Sequence, residues 1–342
     1  MLNRRDFVSL GALALAGCGT IEAPRARNAK PFAPRAKAPA LEELRTPPPP
    51  KPAFHVFSKM FQPPVTKGVD ELCELMAKAG FDGIQWTVRP KGHVLPERAA
   101  EDLPRVVAAA RKQGLQATTI CTAITDGDDP ASERLLKVAA DCGFTLFRPG
   151  YYFYDVKKET FQQSMDRIRR GFASLARVAG KTGMKATYQN HSSWGPSVFG
   201  GLLWDIHACI RDLDPKHVGI EYDPMHAFFE TNLSWTHGFE LVAPWIGAVD
   251  LKDFRYRLSK KNPKNHAKFM CPAGDGVVPW QDVRRLLDAR GVRVPYIVHF
   301  EYDFNKADLL NGPEADAVAR QLAEEARPGA RVLVAQKGAL PL

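Results

Sequence analysis

Four short apolar stretches in the second half of the chain each end in a cluster of polar residues, and these clusters decide the fold. They read Tyr188-Gln189-Asn190-His191, Tyr222-Asp223-Pro224-Met225-His226, Val249-Asp250-Leu251-Lys252-Asp253 and His299-Phe300-Glu301-Tyr302-Asp303. Successive clusters lie about 30 to 50 residues apart, which is the length of a strand and a returning helix or a little more. Polar side chains at the carboxyl ends of successive parallel strands converge on one point. The spacing therefore predicts a parallel sheet with a functional site at one edge.

The same alternation of apolar and amphipathic segments extends over the chain from residue 53 onward. It predicts eight strands, at 53–58, 82–88, 115–121, 144–149, 184–189, 217–222, 246–251 and 295–300. It predicts eight helices, at 68–80, 99–114, 131–143, 159–183, 200–214, 236–243, 280–291 and 313–327. Five of these helical patterns end at a glycine, the residue favoured at helix termini: Gly80, Gly114, Gly143, Gly183 and Gly291.

Eight strands that alternate with eight helices predict a single α/β domain, a closed (β/α)8 TIM barrel over residues 53–327. The alternative is an open doubly wound sheet, which is disfavoured because no strand is followed by a G-x-G-x-x-G turn. Two predicted loops are long, at 190–199 and 253–279. Both follow the carboxyl ends of strands, and long loops in a compact domain are usually functional.

The first 52 residues predict an export signal and a linker. Arg4-Arg5 precede an apolar stretch, Val8 to Ala16, that is too short to cross a bilayer as a helix. Residues 1–18 resemble a twin-arginine signal ending in a lipobox with Cys18 as the acylated residue, and a soluble signal with a chance cysteine is the alternative. Residues 19–52 are rich in proline and predict a disordered linker, and residues 328–342 form a C-terminal tail. We expect an exported, periplasmic protein that contacts the membrane through a lipid anchor.

The net charge of +9 is not evidence for nucleic-acid binding. Residues 1–52 hold nine basic and four acidic residues, so the remaining chain carries only +4, and it has no basic run interleaved with aromatic residues. Besides Cys18, five scattered cysteines remain, and none belongs to a C-x-x-C pair. A disulfide framework or a structural zinc site is therefore not expected.

The polar clusters predict a metal site. Because side chains alternate along a strand, Gln189, Asp223, Asp250 and Glu301 would form a ring at the top of the barrel. Three carboxylates and an amide oxygen suit Mg²⁺, Mn²⁺ or Ca²⁺ better than zinc. Taken singly, the polar residues of these clusters also have structural interpretations, such as a turn at Asp223 or a helix cap at Asp253.

The order of these segments resembles the sugar phosphate isomerase/epimerase family, the xylose isomerase-like TIM barrels, over residues 53–327. In that family Glu, Asp, His and Glu at the ends of strands five to eight bind a divalent metal. Asp223 to His226 matches the family's D-x-x-H segment, and Glu301 matches its last Glu. Gln189 stands where the family has Glu and Asp250 where it has His, so the summed charge of the four positions stays −3. The resemblance implies that these four residues still hold a divalent metal.

The resemblance implies an isomerase or epimerase that acts on a sugar or sugar derivative through a metal-stabilised enediolate. Glu301 is the expected proton acceptor, because Gln189 cannot act as a general base. His226 and Lys252 are expected to orient or protonate substrate oxygens. The alternatives are a lyase on keto-sugars or keto-glycosides at the same site and a lipid-anchored carbohydrate-binding protein without catalysis. Barrels of this family often pair, so a homodimer is a further expectation.

Seven residues near the strand ends are candidates for binding the substrate, although each also has a bland interpretation as a loop, packing or hydrogen-bonded residue. They are His93, Arg89, Tyr152, His191, Trp194, Asp253 and His299.

Overall fold

The eight predicted strands are present, and they close into one parallel barrel. The computed structural model describes residues 52–63, 65–192, 197–258 and 266–302. Its strands are β1 (Phe54–Phe57), β2 (Gly83–Val88), β3 (Gln116–Thr122), β4 (Leu146–Arg148), β5 (Lys185–Gln189), β6 (Val218–Tyr222), β7 (Ile246–Leu251), β8 (Asp253–Leu258), β9 (His266–Cys271) and β10 (Tyr296–Val298). The barrel runs β1-β10-β7-β6-β5-β4-β3-β2 and closes on itself. The predicted α/β barrel and its single domain are confirmed.

The helices follow the strands as the alternating pattern predicts. They are α1 (Val69–Lys78), α2 (Ala99–Lys112), α3 (Pro130–Asp141), α4 (Phe161–Thr182), α5 (Leu203–Ile210), α6 (Pro224–Thr231), α7 (Trp235–Val242) and α8 (Trp280–Ala289). All five glycines predicted to end helices have a positive φ. The longest helix, α4, begins at a capping box between Thr160 and Gln163 and ends at Gly183 with φ 72°. The helix predicted at 313–327 lies outside the described residues.

The apolar core has two parts, which follow from the two faces of the barrel strands. The larger part lies between strands and helices; α4 contributes Ile168, Phe172 and Leu175, spaced three and four residues apart. A smaller cluster joins residues of β1, β3, β7 and β10, so it lies inside the barrel: Phe57, Cys121, Ala248 and Ile297. The interior is therefore filled by side chains, and polar residues stand above them at the carboxyl edge.

Two elements were not predicted. The region 253–279 was predicted as a long loop, but it contains the antiparallel hairpin β8–β9, paired from Asp253 with Cys271 to Leu258 with His266. The apolar–polar alternation over 253–258 is the sequence signal for this strand. Helix α6 starts directly after β6, because the Asp223 carboxylate accepts a hydrogen bond from the backbone of His226 and caps the helix.

Within the part of the chain that the structure describes, no helix is both long enough and apolar enough to cross a bilayer. The export signal, the lipidated Cys18, the linker and the C-terminal tail fall outside the described residues and stay predictions.

Candidate active site

A cavity of about 430 Å³ opens at the carboxyl ends of the barrel strands, the edge at which the sequence predicts the site. Its walls come from β1, β4, β5 and the segments that follow β1, β2, β4, β5 and β10. The lining residues are Phe57, Lys59, Met60, Arg89, Arg148, Tyr151, Gln189, His191 and Glu301. Besides Gln189 and Glu301, two predicted site residues lie in this wall, Arg89 and His191.

Gln189 contacts two of the other three predicted metal ligands, Asp223 and Asp250. Its amide nitrogen donates to Asp223 Oδ2 at 3.1 Å and to Asp250 Oδ2 at 2.5 Å. Its amide oxygen accepts from an Arg148 guanidinium nitrogen at 3.0 Å and from the Tyr151 hydroxyl. Because Arg148 can only donate, this orientation of the amide satisfies both sides. Gln189 therefore faces the carboxylates as a hydrogen-bond donor.

Lys252 joins the fourth predicted ligand, Glu301, to this group. The buried ammonium lies 3.0 Å from Asp223 Oδ2 and 3.3 Å from Glu301 Oε2. The other Glu301 oxygen lies 3.4 Å from the ammonium of Lys59. Burial opposes ionisation of Glu301, but Lys252 and His299 together hold its pKa well below the usual value. Glu301 is therefore ionised, and at 22% side-chain exposure it is open to the cavity.

Two carboxylates and one histidine form a tighter cluster deeper in the barrel. Glu221, Asp250 and His299 each offer a ligand atom, and these atoms lie within 4.8 Å of one another. Glu221 accepts hydrogen bonds from Gln85 at 2.8 Å and from Arg148 at 3.1 Å. Burial, and then the Asp250 carboxylate, raise the pKa of Glu221 to about 8. Burial also raises the pKa of Asp223 to about 6, although the Lys252 ammonium beside it works in the opposite direction.

This deep cluster fits a divalent cation. Asp250 Oδ1 and both ring nitrogens of His299 are buried and have no hydrogen-bond partner among the described residues. Asp250 Oδ1 and His299 Nε2 lie 3.2 Å apart, but without the alignment of a hydrogen bond. Two carboxylates and an imidazole with unused lone pairs are a donor set that binds divalent metals. Asp250 is common to this cluster and to the predicted metal ligands, whereas Glu221 was not predicted and His299 was predicted to bind substrate.

The two histidines above Asp223 lie in contact with their rings tilted by 36°. The rings of His191 and His226 lie 3.8 Å apart between centroids, and His226 Nε2 is 3.5 Å from Asp223 Oδ2. Ser192 Oγ lies 2.7 Å from His226 Nδ1 and accepts a hydrogen bond from Lys268 of β9 at 2.8 Å. Burial lowers the pKa of His191 to about 3 and that of His226 well below its usual value. Both rings are therefore neutral at pH 7, and His191 is the one that lines the cavity.

Asp253, predicted to bind substrate, does not line the described cavity. Its carboxylate accepts hydrogen bonds from the backbone of Phe254, Gly274, Gly276 and Val278 and from the Trp280 indole. A Cβ atom on Gly276 would lie 2.0 Å from Asp253 Oδ1, so only glycine fits there. Asp253 thus ties the base of the β8–β9 hairpin to the start of α8.

Three other candidates lie away from the cavity or outside the described residues. The Tyr152 hydroxyl donates to the carbonyl of Thr125 at 2.7 Å, and its neighbour Tyr151 takes the place in the cavity wall. His93 Nδ1 lies 3.0 Å from Thr87 Oγ1, and the ring lines a separate cavity beside α1 and α2. Trp194 lies outside the described residues.

Sequence reasoning did not assign roles to Arg148, Tyr151, Lys59 or Glu221. Arg148 is a buried arginine at the last position of β4, and Glu221 lies two residues before Asp223 on the same strand face. These two positions carried a signal, because alternation along a strand places them toward the barrel interior. Lys59 follows β1 in a short 3₁₀ turn and carried none.

The closed barrel and the polar cavity at its carboxyl edge define a (β/α)8 protein of the kind whose active sites lie at that edge. Residues 73–325 match the family described as xylose isomerase-like TIM barrel. The match covers most of the chain, and the chain belongs to this family.

One curated relative is an inosose dehydratase from Geobacillus thermodenitrificans (strain NG80-2), 26% identical over 158 residues. The match covers 44% of this chain and 51% of the relative, so the chain spans about half the length of the relative it matches.

Two solved structures share the fold. A 3-keto-D-glucoside 4-epimerase from E. coli, in its apo form, superposes with a TM-score of 0.58 at 18% identity, covering 81% of this chain and 99% of that one. A xylose isomerase-like TIM barrel protein from Mycobacterium smegmatis, in complex with magnesium, superposes with a TM-score of 0.56 at 14% identity, covering 83% and 98%. At these identities the structures establish the fold of the chain and nothing more specific.

Proposed function

We propose that this protein is a lyase that removes the proton alpha to the carbonyl of a keto-sugar or keto-glycoside and then expels the β-substituent. The observation that carries the proposal is the unequal pair at the cavity, the ionised carboxylate of Glu301 and the amide of Gln189. One base is enough for a syn elimination, because the group that takes the proton from carbon can return it to the leaving group. Epimerisation needs a second proton donor on the opposite face of the substrate.

Glu301 takes the proton from carbon in this reaction. The electron pair moves to the carbonyl oxygen, where a hydrogen bond from the Lys252 ammonium or the Arg148 guanidinium stabilises the negative charge. The pair then forms a carbon–carbon double bond as the β-oxygen leaves. That oxygen receives the proton from Glu301, which returns to its ionised form. The products are an unsaturated ketone and water or an alcohol.

Glu221, Asp250 and His299 would hold a divalent metal, with Asp223 beside them. When bound, the metal supplies a positive charge that polarises the substrate carbonyl. The residues of the chain do the remaining work: Gln189 fixes the two aspartates, and Lys59 and Lys252 position Glu301.

Isomerisation or epimerisation is the second candidate, and the fold it shares with a 3-keto-D-glucoside 4-epimerase favours it. It begins with the same proton abstraction. Epimerisation also needs a proton returned from the opposite face of the substrate, and His191 and Tyr151 are two residues of the described wall that carry a transferable proton. Burial lowers the pKa of His191 to about 3, so its ring is neutral at pH 7. Elimination is favoured over epimerisation because it needs no second group to donate a proton.

The test follows both outcomes in one experiment. Metal-supplemented protein is incubated in D₂O with 3-keto-glucosides and with ketohexoses, and the products are analysed by mass spectrometry and NMR. We expect an unsaturated ketone and a released alcohol or water. Deuterated epimer without elimination would overturn the lyase and leave the isomerase or epimerase.

Two variants test the assigned residues. Glu301→Gln is expected to lower the rate by about 10²–10⁴-fold, the usual contribution of a general base. Gln189→Glu supplies a second carboxylate and is expected to yield some epimer. Elimination by Glu301→Gln at the wild-type rate would remove Glu301 as the base.

Export to the periplasm, a lipid anchor at Cys18 and pairing into a homodimer accompany this proposal. Globomycin-sensitive processing with labelled palmitate incorporation would test the anchor, with Cys18→Ala as the control. Analytical ultracentrifugation of the chain from residue 53 would test the homodimer.

A further inference from the structure

The cavity wall holds three cationic side chains and one carboxylate. Lys59, Arg89 and Arg148 line it together with Glu301. A cationic wall of this kind needs negative charge nearby, because an unpaired charge out of bulk water is costly.

Two of the cations are paired. An Arg148 guanidinium nitrogen lies 3.1 Å from Glu221 Oε1, and both side chains are buried. The Lys59 ammonium lies 3.4 Å from Glu301 Oε1. Both cations therefore already have a carboxyl partner within the chain.

Arg89 is the cation that remains. It directly follows β2 and is half-buried. Its guanidinium carbon lies 5.9 Å from the centroid of the Phe57 ring, and its side chain makes no ion pair and no hydrogen bond with any described residue. The aromatic ring orients the guanidinium but does not neutralise it.

We infer that Arg89 is the subsite for a carboxylate of the substrate, so the preferred substrate is a sugar acid rather than a neutral sugar. A guanidinium presents a planar fork of donors that matches the two oxygens of a carboxylate. One uncompensated positive charge also matches the single negative charge of a carboxylate, whereas a phosphate dianion would bring a charge that no other free cation of the described wall balances. The inference rests on the proposed function only in placing the substrate in this cavity.

Isothermal titration calorimetry at low ionic strength tests the subsite by binding alone. The probes are D-glucuronate and D-galacturonate, their neutral counterparts D-glucose and D-galactose, and the corresponding hexose 6-phosphates. We expect at least one hexuronate to bind wild-type protein at least tenfold more tightly than its neutral counterpart. Arg89→Gln is expected to abolish that difference and to leave the affinity for the neutral sugar unchanged.

Two further variants control the result. Arg89→Lys keeps the charge without the fork and is expected to retain part of the preference. Arg111→Gln changes an exposed arginine on α2 and is expected to retain all of it. Equal affinity for acid and neutral sugar, a preference that survives Arg89→Gln, a preference for hexose 6-phosphates, or no binding of either hexuronate would each overturn the inference.

The same titration separates this inference from the proposed reaction. Glu301→Gln is expected to keep or increase the preference for hexuronates, because it removes a negative charge from the cavity. If the preference is present but Glu301→Gln reacts at the wild-type rate, the subsite stands and the proposed base is wrong. If Glu301 is essential but no acid preference exists, the reaction stands and the subsite is wrong.

Discussion

The mouth of the barrel divides into an acidic half and a basic half. The strands β6, β7 and β10 and the residues after them supply the carboxylates: Glu221, Asp223, Asp250 and Glu301. The segments at the ends of β1, β2 and β4 supply the cations: Lys59, Arg89 and Arg148. Gln189, at the end of β5, lies between the halves; its nitrogen faces the acids and its oxygen faces Arg148. An amide can donate to one half and accept from the other, which a carboxylate cannot do, so glutamine suits the boundary.

The largest loss of stability is expected on removing Lys252, the buried cation within the acidic half. Lys252→Met removes the ammonium from between Asp223 and Glu301 and leaves Asp223 buried without it. We expect a loss of about 3–5 kcal/mol in the free energy of unfolding, measured by urea denaturation. Adding Asp223→Asn should recover part of the loss, because it removes the uncompensated charge. A loss below about 1 kcal/mol in the single variant would contradict the pairing.

Asp253 lies next to the acidic half, three residues after Asp250, and it tests whether a carboxylate outside the four named ones serves the cavity. Asp253→Ala removes the acceptor of five hydrogen bonds and should cost about 3 kcal/mol of stability, with little change in sugar affinity of the folded protein. Asp253→Asn, which keeps one acceptor oxygen, should cost less. If sugar binding were lost while the unfolding curve stayed unchanged, the original prediction of a substrate-binding role would be correct.

His93 lies in the segment after β2 that also carries Arg89, but it lines a separate cavity, and it predicts a pH dependence of stability. Burial lowers the pKa of His93 to about 4 from an ordinary value of about 6.5. As the pH falls, His93 is protonated in the unfolded chain before it is protonated in the folded one. The stability that depends on a neutral His93 is therefore fully present above pH 6.5 and is lost as the pH falls toward 4. Between pH 7 and pH 5 the loss is about 2 kcal/mol. His93→Gln should lose about that much less stability over this interval, and an identical pH dependence in both proteins would contradict the assignment.

The smallest effect is expected at the outer edge of the basic half. The Lys59 side chain is 47% exposed, and its ion pair with Glu301 is open to solvent. Lys59→Ala should change the free energy of unfolding by less than about 1 kcal/mol, and added salt should reduce the difference further. Urea denaturation at two salt concentrations measures both. A loss as large as that of Lys252→Met would mean that the two halves depend equally on their cations.

The sequence predicted the barrel because its signals are local and repeated. Each strand is a short apolar run, and the glycines that end the helices, such as Gly183, have the positive φ that the prediction requires. The short helix α6 was not predicted, because Asp223-Pro224 also fits a plain turn. The β8–β9 hairpin was not predicted, because its only sequence signal is the alternation of apolar and polar residues over 253–258.

The site was predictable in position but less so in detail. Alternation placed Gln189, Asp223 and Asp250 together, and their contacts agree with that placement. Which oxygens face a metal, and which a lysine, depends on side-chain conformations that spacing alone does not determine. Tyr151 and Tyr152 illustrate the limit, since neighbouring residues of the same type point to different surroundings.

The base of the β8–β9 hairpin has a consequence for how motion is distributed in the molecule. The chain leaves the barrel at Asp253 and returns to α8 past Gly276, and one buried carboxylate clamps both passages. We therefore expect slower amide hydrogen exchange at the base of the hairpin than at its outer end, where Leu258 is exposed. On the returning strand, Lys268 donates a hydrogen bond to Ser192, whose hydroxyl also contacts His226, so the hairpin is joined to the site at a second point.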